Sequence, residues 1–173
     1  MSKTKFTKED ELLLKDFSSH VSKKGHAIFY VSAAVVSLAP LYLFYGVHQM
    51  EIADSWIIWI LAAAISTYLL QFSYKNLHKI LKHQVVVKRG DAIARELNRE
   101  FAGDKKMTTK EKDERILWKK NEVGDYEATT FTIFYNNVLF YAILMVLSFF
   151  ILANINPAFN CLISMAGASD LEI

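Results

Sequence analysis

Residues Ala27–Val47 read AIFYVSAAVVSLAPLYLFYGV, 21 residues without a charge. Wound as an α-helix at about 1.5 Å per residue, such a run covers roughly 31 Å, the thickness of one hydrocarbon core. Two further uncharged runs follow, Ser55–Tyr74 (SWIIWILAAAISTYLLQFSY) and Phe131–Ala153 (FTIFYNNVLFYAILMVLSFFILA). Only His48–Asp54 (HQMEIAD) separates the first two, so they form a membrane hairpin, with Pro40 read as a kink in its first arm. Beyond the third run, Asn154-Ile155-Asn156-Pro157 breaks the helix, and Ala158–Ser169 is apolar but short, a thin fourth span or a re-entrant segment. The expected fold is therefore all-α: a polytopic membrane protein with four transmembrane helices, the fourth short, plus a small cytosolic helical hairpin or bundle.

Charge sets the orientation. The formal net charge is only +2, yet all 20 Lys and Arg fall within residues 1–26 and 75–128. Basic residues are retained on the cytoplasmic side. With two crossings between the blocks, both can lie there, which makes the N-terminus and the central segment cytosolic. Tyr42, Tyr45, Trp56 and Trp59 then form an aromatic belt at the far interface. The first 26 residues are polar and unlike a cleavable signal peptide, so insertion is expected to begin at the first apolar run.

The chain divides into a cytosolic amphipathic N-terminal helix (1–26), a first transmembrane hairpin (27–74), a basic helical hairpin (75–130), a second transmembrane hairpin (131–169) and a tail (170–173). In the first segment Leu13, Phe17 and Val21 recur at helical spacing. In the central one, a helix continuing out of the second span carries Leu77, Leu81, Ile93, Leu97 and Phe101. A second helix carries Ile116 and Val123 and runs into the third span. Ala102-Gly103-Asp104 supplies the turn between them, and Thr108 with Glu111 three residues later predicts a capping box.

Two basic sets stand out. Lys75, Lys79, Lys82, Lys88 and Arg89 form a run without an acid beside the second span. Its plain reading is retention charge attracted to anionic headgroups, and its sharper one is contact with a specific polyanion. Arg99, Lys105, Lys106, Lys110, Lys112, Arg115, Lys119 and Lys120 surround the tip of the predicted hairpin. Interleaved acids make an ordinary solvated surface the plain reading there, whereas phosphate contact is what a displayed basic tip also suits.

Other chemistry finds little support. No acid, Lys or Arg lies inside a span, which removes the groups that usually mark proton relays and ion paths. A small multi-span transporter or channel component remains the rival reading. Cys161 is the single cysteine, and His78 and His83 are five apart, off the metal-binding helical spacing, so no metal or cofactor is expected. Asn136 and Asn137 read as interhelical hydrogen-bonding or interfacial groups rather than a substrate site. No nucleophile and base pair marks an enzyme.

The stretch Lys110–Asn137, KEKDERILWKKNEVGDYEATTFTIFYNN, resembles the gamma subunit of the translocon-associated protein complex, also called the signal sequence receptor gamma subunit. Shorter pieces extend the likeness: Glu11-Leu12-Leu13-Leu14, Thr67-Tyr68-Leu69, Tyr74-Lys75-Asn76 and Ser148-Phe149-Phe150-Ile151-Leu152. The resemblance implies a non-enzymatic, multi-pass subunit of the endoplasmic reticulum membrane. It also implies alpha, beta and delta partner subunits, a place beside the protein-conducting channel, and cytosolic helices docked on ribosomal RNA and a ribosomal protein.

Overall fold

The computed structural model describes residues 23–101 and 108–170, and every described element is a helix. The amino-terminal arm, the Ala102-Gly103-Asp104 turn and the tail beyond Asp170 lie outside the described residues. Helix α1 spans Lys23–Gly46, α2 Ile52–Glu100, α3 Thr109–Val146 and α4 Pro157–Asp170, and one π-helical turn, Leu147–Ile151, follows α3. As expected, α2 continues out of the second apolar run and α3 leads into the third. Among the described residues, three helices are long and apolar enough to cross a membrane. The 14 residues of α4 cover only about 21 Å at the helical rise, short of a hydrocarbon core.

The described residues fall into two compact units. A membrane unit comprises residues 23–77 and 132–170, and a polar unit comprises residues 78–101 and 108–131.

In the membrane unit the helices meet through neutral polar groups. Ser37 on α1 and Thr67 on α2 share a 2.6 Å hydrogen bond. Each hydroxyl has one proton, so the one that does not donate across this pair is free to donate within its own helix, Ser37 to the Ala33 carbonyl or Thr67 to that of Ala63. Asn136 on α3 donates to Ser73 on α2 at 2.7 Å, and Tyr74 donates to Asn137. Pro40 lies inside α1, where it supplies no N–H to the Val36 carbonyl one turn back. Tyr141 of α3 supplies the missing donor, its hydroxyl lying 3.2 Å from that oxygen. Backbone satisfaction inside a bilayer requires such a replacement.

The π turn is built on the same logic. Leu152 N–H reaches back five residues to the Leu147 carbonyl at 2.8 Å, and Asn160 of α4 donates to the carbonyls of Ser148 and Leu152, both at 3.0 Å. His48, in the turn after α1, stacks on Phe44 and Phe149 and lies 3.0 Å from the Ser148 hydroxyl. Partial burial of the ring disfavours its charged form and pushes its pKa down. Asn156 caps α4 by accepting from Ala158 N–H at 3.0 Å, with Pro157 in the first helical position. Tyr45 meets Trp59 edge to face, joining two members of the expected belt.

The core line differs from the apolar stripe expected of the central segment. Leu77, Leu81, Ile93, Leu97, Phe101 and Val123 are only half-buried. In the polar unit the buried positions recur every four residues, His78, Lys82, Val86 and Gly90 on α2 opposite Ile116, Gly124 and Ala128 on α3. The same spacing holds in the membrane unit, with Ala62, Ser66, Leu70 and Tyr74 on α2 and Thr132, Asn136, Phe140 and Leu144 on α3. A repeat longer than 3.6 residues drifts around the helix in the sense opposite to a heptad stripe. Small residues at these positions permit close approach: a Cβ on Gly124 would sit 2.6 Å from Val86 Cγ2.

Candidate docking surface

In the polar unit, α2 and α3 are joined by charge. Lys82 is 2% exposed, and its Nζ lies 3.2 Å from Asp125 Oδ1. His78, one turn earlier on the same face and fully buried, places Nε2 3.3 Å from that same oxygen. Two turns beyond Lys82, Arg89 pairs with Glu127. Removing one member of a buried pair strands the other charge in a medium that solvates it poorly, which costs about 3–5 kcal/mol. This cluster therefore fixes how the two helices of the unit meet.

Two of the five juxtamembrane cations, Lys82 and Arg89, are thus engaged by carboxylates of α3. Lys75 belongs to the membrane unit, with its ammonium 6.0 Å from the Tyr30 ring centroid. Lys79 and Lys88 are exposed. Their acid-free run hid the pairing, because Asp125 and Glu127 lie some forty residues away in the chain. His83 is exposed while His78 is buried, in keeping with their five-residue separation. No cluster of metal-ligating side chains occurs among the described residues.

The tip set divides in a similar way. Lys112 donates to the Phe101 carbonyl at 3.4 Å, giving the open end of α2 a cationic partner. Lys119 pairs with Glu122 one turn on at 2.8 Å. Lys120 lays its stem over Gly90, whose added Cβ would meet Lys120 Cε at 3.6 Å. Arg99 and Lys110 are exposed and in no ion pair among the described residues. Exposed Arg115 follows Glu111 by one turn and helps hold that carboxylate ionised. Lys105 and Lys106 fall outside the described residues.

The predicted capping box is present in part: Thr108 donates both its N–H, at 3.0 Å, and its hydroxyl, at 2.8 Å, to Glu111. Those bonds, the hydroxyl first, pull the Glu111 pKa down. Trp118 is 65% exposed and Tyr126 75% exposed on the same helix, large aromatic surfaces that the charge pattern did not single out.

The sequence model described as translocon-associated protein, gamma subunit (TRAP-gamma) matches residues 9–172. The chain belongs to the TRAP-gamma family. Translocon-associated protein subunit gamma of Dictyostelium discoideum is 26% identical over 158 residues, covering 91% of this chain and 89% of its own length. In this TRAP-gamma chain the Lys110–Asn137 stretch carries α3's side of the main polar contacts. Asp125 and Glu127 serve the polar unit, and Asn136 and Asn137 serve the membrane unit. The family reading and the helical architecture agree on a membrane protein of several apolar helices.

Proposed function

We propose that this chain is the non-enzymatic gamma subunit of a translocon-associated complex in the endoplasmic reticulum membrane. Its polar unit faces the cytosol and docks on the ribosome, and the complex assists co-translational translocation beside the protein-conducting channel. The alpha, beta and delta subunits are its partners, and α4 serves as the short fourth membrane segment. The observation that supports docking is the division of the cations. Lys82 and Arg89 are engaged by carboxylates inside the unit, whereas Arg99 and Lys110, near the end of α2 and the start of α3, are exposed and in no ion pair among the described residues. Phosphate binding needs cations of that second kind, because each released counterion contributes only where a charge is free to replace it.

Ribosome co-sedimentation of the detergent-solubilised chain, titrated with salt, tests the proposal. Binding through several phosphates falls steeply, by about 10³-fold or more between 50 and 200 mM salt for six contacts. A salt-independent association would exclude the RNA-phosphate grip and leave protein–protein contact alone.

A further inference from the structure

Lys75 is the first residue beyond the second apolar run, and Tyr30 is the fourth residue of the first run. Helical side chains lean toward the N-terminus of their own helix. On α2 that directs the Lys75 stem back toward hydrocarbon, and on α1 it directs the Tyr30 phenol outward, so the two converge at one edge of the membrane unit. The Lys75 ammonium lies 6.0 Å from the Tyr30 ring centroid, the outer limit of a cation–π contact.

Both groups are otherwise short of partners. Lys75 is half-buried, yet it forms no ion pair and donates no hydrogen bond among the described residues. Asp54, the acid that precedes it on α2, is about 31 Å away at the helical rise. Lys82, buried further along the same helix, has Asp125. The Tyr30 ring is 54% exposed, and its hydroxyl has no hydrogen-bond partner among the described residues. His26, one turn earlier on the same face of α1, is half-buried and also without a hydrogen bond there. A half-buried ammonium without a counter-charge is unfavourable, and at the edge of a hydrocarbon core the headgroup layer can supply one.

We infer that Lys75, Tyr30 and His26 form a binding site for the phosphodiester of an anionic phospholipid. Lys75 supplies the counter-charge, and the Tyr30 hydroxyl and an imidazole N–H of His26 supply further donors. Depth selects a lipid headgroup over free phosphate, because the Tyr30 Cα is about 4.5 Å inside the first apolar run. The site is distinct from a diffuse attraction of the whole basic run to a charged surface, since it singles out Lys75 from Lys79 and Lys88. It is also independent of ribosome docking.

The test is photolabelling of the full chain in phosphatidylcholine nanodiscs that contain a photoactivatable phosphatidylserine. Label is expected on the peptides carrying Tyr30 and Lys75, displaced by unlabelled phosphatidylserine but not by glycerol phosphate in solution. Lys75→Gln should lower the labelling about tenfold or more, the ratio of a hydrogen bond to a charged group. Lys75→Arg, which keeps the charge, should retain most of it. Tyr30→Phe, which keeps the ring, should lower it by less than Lys75→Gln, as befits a neutral donor. Lys79→Gln, one turn further along α2, should lower it least. Equal losses from Lys75→Gln and Lys79→Gln would reduce the site to diffuse charge. Displacement by glycerol phosphate would make it a site for free phosphate, and equal labelling by a phosphatidylcholine probe would remove the selection for an anionic lipid. Each of these would overturn the inference.

Discussion

The membrane unit and the polar unit use the same two helices and the same four-residue spacing of buried positions, but fasten them with different chemistry. In the membrane unit the contacts between α2 and α3 are neutral, Ser73 with Asn136 and Tyr74 with Asn137. In the polar unit they are charged, Lys82 with Asp125 and Arg89 with Glu127, with the imidazole of His78 beside the Asp125 carboxylate. A charge at bilayer depth is expensive, whereas an amide or hydroxyl there still has partners to find. In the polar unit a buried pair is tolerated because the carboxylate keeps some contact with water, Asp125 remaining 18% exposed. The change from neutral to charged fastening along one pair of helices therefore reports the environment each part was built for.

The comparison breaks most visibly at Asp125. Asp125→Leu should destabilise the polar unit by about 3–5 kcal/mol, because Lys82 is left buried without a counter-charge. The double change Lys82→Met with Asp125→Leu should recover most of that loss. Amide hydrogen exchange over residues 78–131 reads both, and equal protection in the single variant and the parent would show that the pair does not organise the unit. Close approach is the next largest effect. Gly124→Ala places a methyl against Val86 and should cost about 1–3 kcal/mol, with Val86→Ala restoring protection.

On the membrane side, Tyr141→Phe leaves the Val36 carbonyl without its donor. It should cost about 0.6–1.7 kcal/mol in a detergent unfolding assay, visibly less than the loss of Asp125. The smallest effect is the cap of α3. Since Glu111 has a lowered pKa in the folded chain, its contribution is in place above the ordinary glutamate pKa and is lost as the pH falls through the lower folded value. Glu111→Gln should flatten that acid dependence of exchange at the start of α3.

Apolar runs and charge blocks made the helices legible, because length and absence of charge are properties of contiguous sequence. The cap at Thr108 and the short segment after Pro157 were legible for the same reason, each being a local pattern. The core of the polar unit was not. Its line of His78, Lys82, Gly90 and Gly124 contains residues that burial by hydrophobicity alone would reject, and its logic appears only when Asp125 is brought across from another helix. For the same reason a basic run without acids looked uniformly available, although Lys82 and Arg89 are already partnered. The π turn and its satisfaction by Asn160 likewise depend on two segments meeting.

The most direct test of the docking account is ribosome co-sedimentation after two matched charge reversals to Glu. One set is Lys105, Lys106, Lys110 and Arg115 at the tip. The other is Lys75, Lys79 and Lys88, chosen to leave the Lys82 and Arg89 ion pairs intact. The account predicts that binding is lost with the tip set and retained with the juxtamembrane set; binding retained with both would contradict it.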